Sequence, residues 1–148
     1  MKLAIGCDHG GLELAQAVRR YLKEKGIEFE DFGTFTKESV DYPLIAARVA
    51  RKVAAGQADL GVLICTTGIG ISIAANKVKG ARASVCTNVE CAKMTRKDND
   101  SNILCMGGSV VDEATGLKIL EAYLATEFEG GRHARRVGQI AQIESGEI

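Results

Sequence analysis

The sequence of 148 residues contains no tryptophan, one proline and only 5% aromatic residues. So few aromatic rings argue against a stacking platform for nucleic acid, and a composition of this kind does not indicate a disordered chain. Charge of neither sign is in excess, because 19 lysines and arginines balance 19 aspartates and glutamates. This balance gives no indication of binding to nucleic acid or to an anionic membrane.

Long hydrophobic runs are also missing. No segment approaches the ~20 apolar residues that a transmembrane helix requires, and the N-terminal segment lacks the pattern of a signal peptide. The cysteines number five and are scattered through the chain, which favours free thiols in a reducing cytoplasm over a set of disulfides. We therefore expect a cytoplasmic protein whose residues 1–148 form one domain.

Apolar runs that alternate with helical patterns predict the fold class. Strands are predicted at Lys2–Cys7, Glu28–Phe32, Leu60–Cys65, Ala81–Cys86 and Ile103–Met106. Helices are predicted at Leu12–Lys25, Tyr42–Ala55, Ile71–Lys77, Val89–Lys97, Asp112–Thr126 and Arg132–Ile143, with a polar loop over Asp98–Asn102. This alternation predicts an α/β fold with a parallel, doubly wound sheet that is covered on both faces.

The stretch from Leu60 to Asn76 has the strongest functional pattern. A buried strand ends at Cys65, the small residues of Thr66–Gly70 form a turn, and a helix then begins. Backbone N–H groups at such a helix start lack internal partners and suit an anion, and the same field favours a cysteine thiolate. The alternative is that Cys65 is only a small buried residue and that the glycines merely turn the chain.

Ligands of doubly wound sheets bind at the carboxyl ends of the strands. The residues at those ends are Asp8-His9, Cys65–Gly70, Cys86–Asn88 and Gly107–Ser109. We therefore expect polar and reactive side chains to gather at one edge of the sheet, whereas the position of Asp98–Asn102 is left open.

Several familiar motifs are incomplete. A dinucleotide fingerprint starting at Gly68 would need glycine at Ile73, and no P-loop pattern is present. A calcium loop starting at Asp98 would need glycine at Ile103, and two histidines without a paired C-x-x-C do not suit a zinc site.

A basic cluster lies at the start of the last predicted helix. Arg132 and Arg136 are one helical turn apart, so both side chains could hold one phosphate. The alternative is a solvated basic patch without a ligand.

The chain resembles the family that includes ribose-5-phosphate isomerase B and galactose-6-phosphate isomerase. The motifs that carry the resemblance are GCDHGG (6–11), ESVDYP (38–43), ICTTGIGISIAANK (64–77), NDSNIL (99–104) and EGGRHARRV (129–137). The resemblance implies a Rossmann-like α/β/α sandwich with an extra C-terminal helix. It also implies a homodimer, with pairing into tetramers left open, whose active sites are built from both subunits. No metal or organic cofactor is implied.

The same resemblance assigns a role to each matching residue. Cys65 would be the base that moves a proton between C1 and C2 of a sugar phosphate, with Asp98 and Thr67 as further catalytic residues. The backbone of Thr66–Gly70 would hold the enediolate oxygen. The substrate-binding residues would be Asp8, His9, Thr66, Gly68, Ile69, Gly70, Asn99, Arg132 and Arg136.

Three positions depart from the family pattern. Asp98 replaces a histidine assigned to opening the furanose ring, Ser109 replaces a phosphate-binding arginine, and Thr66 replaces a common glycine. An ionised aspartate accepts a proton but donates one poorly. Ring opening would therefore need a protonated Asp98, a substitute such as His9, or an open-chain substrate. Loss of the arginine removes a contact worth roughly 1.5–3 kcal/mol, unless Arg135 or Arg82 replaces it.

The resulting hypothesis is an aldose–ketose isomerase acting on ribose 5-phosphate and ribulose 5-phosphate. Because Asp98 and Ser109 depart from the family pattern, the alternative is the same reaction on a tetrose, allose or galactose phosphate. A third alternative is a non-catalytic module that binds a phosphosugar or FMN, although few aromatic residues are present to stack on a flavin.

Overall fold

The computed structural model describes residues 1–148. The strands are β1 (Lys2–Cys7), β2 (Glu28–Asp31), β3 (Leu60–Cys65), β4 (Ala83–Val85) and β5 (Ile103–Gly107). The helices are α1 (Leu12–Glu24), α2 (Tyr42–Ala54), α3 (Ile69–Ala75), α4 (Val89–Asn99), α5 (Glu113–Ala125) and α6 (Arg132–Ser145). None of these helices combines the length and the apolar composition that a membrane span requires.

All five strands form one parallel sheet with the order β2-β1-β3-β5-β4. The predicted α/β fold with a doubly wound parallel sheet is confirmed. The chain winds outward in one direction from β1 and in the other from β3, so the strand order reverses between these two neighbours. Their carboxyl ends are where ligands of such sheets bind.

Two hydrophobic cores cover the sheet, one on each face. Alternate residues of β3 belong to different cores, because successive side chains of a strand point to opposite faces. Val62 and Ile64 pack with α1 and α5, whereas Leu63 and Cys65 pack with α2 and α3. The fully apolar sequence of β3 is therefore required by burial on both sides.

The predicted polar loop over Asp98–Asn102 is wrong for its first two residues, because α4 continues through Asp98 and Asn99. The helix ends instead at Asp100, which adopts a left-handed conformation with φ 47°. Arg96 and Arg82 both pair with the Asp100 carboxylate, at 3.2 and 3.4 Å. These contacts stabilise the last turn of α4, which the polar composition did not indicate.

Other boundaries differ by a few residues. Helix α3 begins at Ile69 rather than at Ile71, and β4 is limited to Ala83–Val85 within the predicted Ala81–Cys86. The N–H of Arg82 is taken by the Asn102 side chain at 2.7 Å, so the chain enters β4 later than its apolar pattern indicates.

Helix α6 packs against the amino end of the sheet. Just before α6, the Glu129 N–H donates to the Lys97 carbonyl of α4 at 3.1 Å. Near its end, the Glu144 carboxylate accepts from the Gly80 N–H at 3.0 Å, close to where β4 begins. No residue of α6 is buried within the chain, so the helix leaves an extended surface open.

We expect Leu104→Ala to destabilise the protein by about 2–5 kcal/mol, because removing a fully buried leucine leaves a cavity. Leu104 is 0% exposed and lies in β5, between β3 and β4. Urea denaturation at a fixed protein concentration measures the change. Val110→Ala serves as the control, since Val110 is 51% exposed and such changes usually cost no more than about 0.5 kcal/mol. Equal losses in both variants would contradict this description of the core.

Candidate active site

Cys65 is the last residue of β3 and lies where the strand order reverses. Asp8 directly follows the neighbouring strand β1, and the Asp8 N–H donates to the Ile64 carbonyl at 3.1 Å. The Cys65 side chain is only 5% exposed, and its Sγ accepts a hydrogen bond from the Gly68 N–H at 3.1 Å. The sulfur is therefore held in place by the turn that follows it.

Gly68 is required by the shape of this turn. Its φ of 80° lies in the left-handed region, which costs other L-residues roughly 1–2 kcal/mol. A Cβ at Gly68 would also lie 2.8 Å from the Met106 carbonyl carbon of β5, and a Cβ at Gly107 would lie 2.5 Å from the Thr67 carbonyl carbon. The turn is thus packed directly on the backbone at the end of β5.

Backbone N–H groups without a protein partner line the same turn. The Gly68 N–H is used by Cys65, and the Ile69 N–H donates to Thr67 Oγ1 at 3.2 Å. Four other N–H groups of the turn and of the start of α3 donate to no protein group, namely those of Thr66, Thr67, Gly70 and Ile71. Thr66 and Thr67 are exposed, so their N–H groups provide hydrogen-bond donors for a bound anion.

Asp8 and His9 lie beside this turn, as expected from their position after β1. The Asp8 carboxylate is buried and accepts from the Gly10 and Gly11 N–H groups at 3.0 and 3.2 Å through Oδ1. His9 is exposed, and its Nδ1 accepts from the Val40 N–H at 3.3 Å. An imidazole that accepts at Nδ1 carries its proton on Nε2, which leaves that N–H available to a ligand.

The segment Gly107–Ser109 lies beside the turn, as expected from its position at the end of a strand, although its hydrogen bonds to the turn were not predicted. The N–H groups of Gly108 and Ser109 donate to the Cys65 and Thr66 carbonyls, at 2.8 and 2.9 Å. The signal that could have identified this contact is the Gly107-Gly108 pair directly after a strand. Tyr42 also lies here, since a Cβ on Gly70 would be 2.9 Å from Tyr42 Cζ.

The remaining predicted site residues lie at the opposite end of the sheet. Gly61 pairs with Ile103 and Cys65 pairs with Gly107, so the two ends of β3 are about 13 Å apart at 3.3 Å per residue. Asp98 and Asn99 precede β5, and Arg132 and Arg136 belong to α6 at this amino end. The structure therefore does not bring these four residues together with Cys65 within one chain.

Arg132 and Arg136 are exposed and form no ion pair within the chain. Their position one turn apart on α6 is as predicted. Arg82 at this end differs, because the Asp100 carboxylate is its partner. These two guanidinium groups thus keep their hydrogen-bond donors free for an external anion such as a phosphate.

His133 is held between two carboxylates at the same end. Its Nε2 lies 3.5 Å from Asp98 Oδ1 and 3.9 Å from Glu129 Oε2. The Lys97 amine lies 3.3 Å from Glu129 Oε1. The positive charge of Lys97 disfavours a metal cation at this position, so the group is a cluster of carboxylates facing a lysine and an imidazole.

Comparison with known proteins identifies the family. The profile of the Ribose/Galactose Isomerase family matches residues 3–140. The chain belongs to this family. It is 47% identical over 143 residues to ribose-5-phosphate isomerase B of Escherichia coli, covering 97% of this chain and 96% of that protein. It is 46% identical to the putative sugar phosphate isomerase YwlF of Bacillus subtilis, with 97% of each chain covered.

Solved structures of the family have the same fold. The ribose-5-phosphate isomerase B of Clostridium thermocellum is 51% identical, with a TM-score of 0.97 and 100% of each chain covered. The enzyme of Mycoplasma genitalium, crystallised with bound ribulose-5-phosphate, is 38% identical, with a TM-score of 0.93. The match covers 97% of this chain and 96% of that one. The resemblance stated from the motifs and the Rossmann-like fold that it implied are confirmed.

The chain has four further cysteines, of which Cys7, Cys86 and Cys105 are buried. Burial raises the pKa of the Cys7 thiol, and burial raises the pKa of Cys86 to about 11. Cys105 is fully buried, and burial raises its pKa well above the usual value. These three thiols stay protonated at neutral pH and pack as small buried residues. Cys91 is exposed.

We expect iodoacetamide at pH 8 to label Cys91 in the folded protein and to leave Cys7, Cys86 and Cys105 unlabelled. A raised pKa keeps a thiol protonated below that pKa, and the thiolate is the form that reacts. Peptide mass spectrometry after timed labelling measures each site, and labelling in urea shows that all the thiols can react once exposed. Labelling of Cys86 as fast as Cys91 in the folded protein would contradict the prediction.

Proposed function

We propose that the protein is an aldose–ketose isomerase that interconverts ribose 5-phosphate and ribulose 5-phosphate. The observation that carries the proposal is the position of Cys65 Sγ beside unpartnered N–H groups of Thr66 and Thr67, at the switch point of the sheet. The membership of the chain in an isomerase family supports the reaction class. Relatives named ribose-5-phosphate isomerase B support the substrate.

In this mechanism Cys65 acts as the base on the open-chain sugar. The thiolate removes the proton from C2 of the aldose, and the electron pair moves into the C1–C2 bond as the carbonyl oxygen becomes negative. The backbone N–H groups of Thr66, Thr67 and Gly70, which have no partner within the protein, stabilise that oxygen. Those of Gly68 and Ile69 already donate within the turn. The thiol then returns a proton to C1 and the O2 proton is transferred to O1, so that C2 becomes the new carbonyl and C1 carries the hydroxyl. Thr67 is exposed and contributes its backbone N–H to these donors. Its Oγ1 accepts from the Ile69 N–H and so helps to hold the turn in shape.

Substrate recognition would use both ends of the sheet. Asp8 and His9 would contact the sugar near Cys65, Asn99 would bind a hydroxyl, and Arg132 and Arg136 would bind the phosphate. Because the sheet separates Cys65 from these arginines within one chain, a complete site requires the arginine-bearing end of a second copy. We therefore propose a homodimer with shared active sites.

Exposed apolar side chains support such an association. Ile69 and Ile73 are exposed and lie one turn apart on α3, beside Cys65. Ile140 and Ile143 are exposed on α6. Apolar side chains gathered on a surface in this way are typical of protein–protein interfaces.

A second candidate function is the same reaction on a different sugar phosphate. The observation that favours it is Ser109, which lies with His9 and Lys37 in an open groove of about 350 Å³. A serine there leaves space where the family pattern has an arginine. Arg82 does not replace that arginine, because Asp100 engages its guanidinium.

We expect Cys65→Ala to lower the isomerisation rate by about 10²–10⁴-fold, the contribution typical of a positioned base. NMR in deuterated water follows both turnover and the entry of deuterium at C2 of the aldose. Cys91→Ala is the matched control and is expected to retain activity, since Cys91 is exposed on α4.

Full activity of Cys65→Ala would contradict this mechanism, and absence of turnover in the wild-type protein would favour an inert phosphosugar-binding module. A panel of pentose, tetrose, allose and galactose phosphates in the same experiment identifies the preferred substrate. If only a phosphate other than ribose 5-phosphate takes up deuterium, the second candidate function is correct.

The shared site predicts complementation between two inactive variants. Cys65→Ala and Arg132→Ala/Arg136→Ala are each expected to be inactive, because each removes one half of every site. After subunit exchange, half of the dimers are mixed and each mixed dimer has one intact site, so about one quarter of wild-type activity should return. The assay mixes the purified variants and follows ribulose 5-phosphate formation over time. Continued inactivity, with exchange verified by mass spectrometry of a tagged copy, would show that each site lies within one chain.

A further inference from the structure

Ring opening is a separate chemical step that this chain must perform on ribose 5-phosphate. The sugar is mainly a furanose, in which O4 is bonded to C1. Opening the ring breaks the C1–O4 bond, delivers a proton to O4 and removes the proton from the O1 hydroxyl. The step therefore needs both an acid and a base. Asp98 as an ionised carboxylate can supply only the base.

An imidazole lies next to Asp98 in the structure. His133 Nε2 is 3.5 Å from Asp98 Oδ1, and the side chains are 13% and 31% exposed, so both retain access to a ligand. His133 adjoins Arg132 at the start of α6, and Asp98 adjoins Asn99 at the end of α4. Each member of the pair therefore directly neighbours in sequence a residue proposed to bind the phosphate or a sugar hydroxyl.

We propose that His133 and Asp98 together open the furanose ring, with His133 as the acid and Asp98 as the base. This inference rests on the proposed isomerase function and on the shared site. Protonated His133 donates its proton to O4 as the C1–O4 bond breaks. The Asp98 carboxylate accepts the O1 proton as the C1 carbonyl forms. The proton then passes from Asp98 to His133 across their 3.5 Å contact, which regenerates both groups.

The surroundings keep His133 in this position. The His133 N–H donates to the Gly130 carbonyl at 3.1 Å, which fixes the first turn of α6. Glu129 Oε2 lies 3.9 Å from His133 Nε2, and the other carboxylate oxygen of Glu129 lies 3.3 Å from the Lys97 amine. The imidazole therefore has a carboxylate on the preceding segment and another on α4, an arrangement that orients the ring.

His9 is the other histidine of the chain, but its environment differs. It lies at the Cys65 end of the sheet, and no carboxylate lies within ion-pair distance of it. Its Nδ1 is occupied by the Val40 N–H. The acid–base pair that ring opening requires is present only at His133.

The test compares a cyclic substrate with an acyclic one. Ribulose 5-phosphate cannot close a furanose ring, because its 5-hydroxyl carries the phosphate, so deuterium exchange at its C1 needs Cys65 but no ring opening. We expect His133→Gln to lower kcat for ribose 5-phosphate by about 10²-fold, while deuterium exchange into ribulose 5-phosphate stays within about threefold of wild type. Asp98→Asn should show the same difference between the two substrates.

A rescue variant separates chemistry from folding. Asp98→His combined with His133→Gln places an imidazole at position 98, which can act as both acid and base. Turnover of ribose 5-phosphate should therefore recover, while the single His133→Gln variant stays slow. Gln139→Ala, an exposed change on α6, is the control for helix stability and should behave as wild type. The circular dichroism spectrum and the dimer mass are compared for all variants.

The outcomes distinguish this inference from the proposed function. If His133→Gln lowers both reactions equally, His133 has a binding or structural role and the inference is wrong. If it lowers neither, the inference is also wrong. If wild-type protein exchanges no deuterium into ribulose 5-phosphate, the isomerase proposal itself fails.

Discussion

The site depends on one local constraint, the hydrogen bond from the Gly68 N–H to Cys65 Sγ in a left-handed turn. A residue with a side chain at Gly68 would adopt this φ at a cost and would collide with the backbone of β5. The turn is tight because it rests on that strand, with Gly107 directly beneath Thr67. As a consequence the chain turns before helical hydrogen bonds can form, and the N–H groups of Thr66, Thr67 and Gly70 remain without partners.

Much of this arrangement could be predicted from the sequence. The apolar run of β3 is unambiguous because both faces of the strand are buried. Once the strands are parallel, Cys65 and the residue after β1, Asp8, must lie at the same edge, and the structure shows that β1 and β3 are neighbours. The resemblance of the motifs to a known family added roles for individual residues, which local patterns alone did not provide.

The parts that could not be predicted depend on contacts between distant segments. The end of α4 has a polar composition typical of a loop, yet Arg96 and Arg82 hold Asp100 and the helix continues through Asp98 and Asn99. The contact between His133 and Asp98 requires α6 to pack on α4, which the Glu129–Lys97 backbone hydrogen bond directs. Neither arrangement has a local signal, because local propensity carries no information on which segments meet.

Because the two ends of the sheet lie far apart, different groups would perform the two chemical steps of the proposed site. Within one chain, His133 and Asp98 lie at the amino end of the sheet and the Cys65 sulfur lies at the carboxyl end. Ring opening and proton transfer between carbons would then use groups from different chains, fixed by different local structures. Asp98 can therefore differ from the family pattern without disturbing the turn that holds Cys65, provided that a neighbouring imidazole supplies the missing acid. Substitutions at the α4–α6 contact are thus expected to alter which sugars the enzyme opens, whereas substitutions at the turn affect every substrate alike.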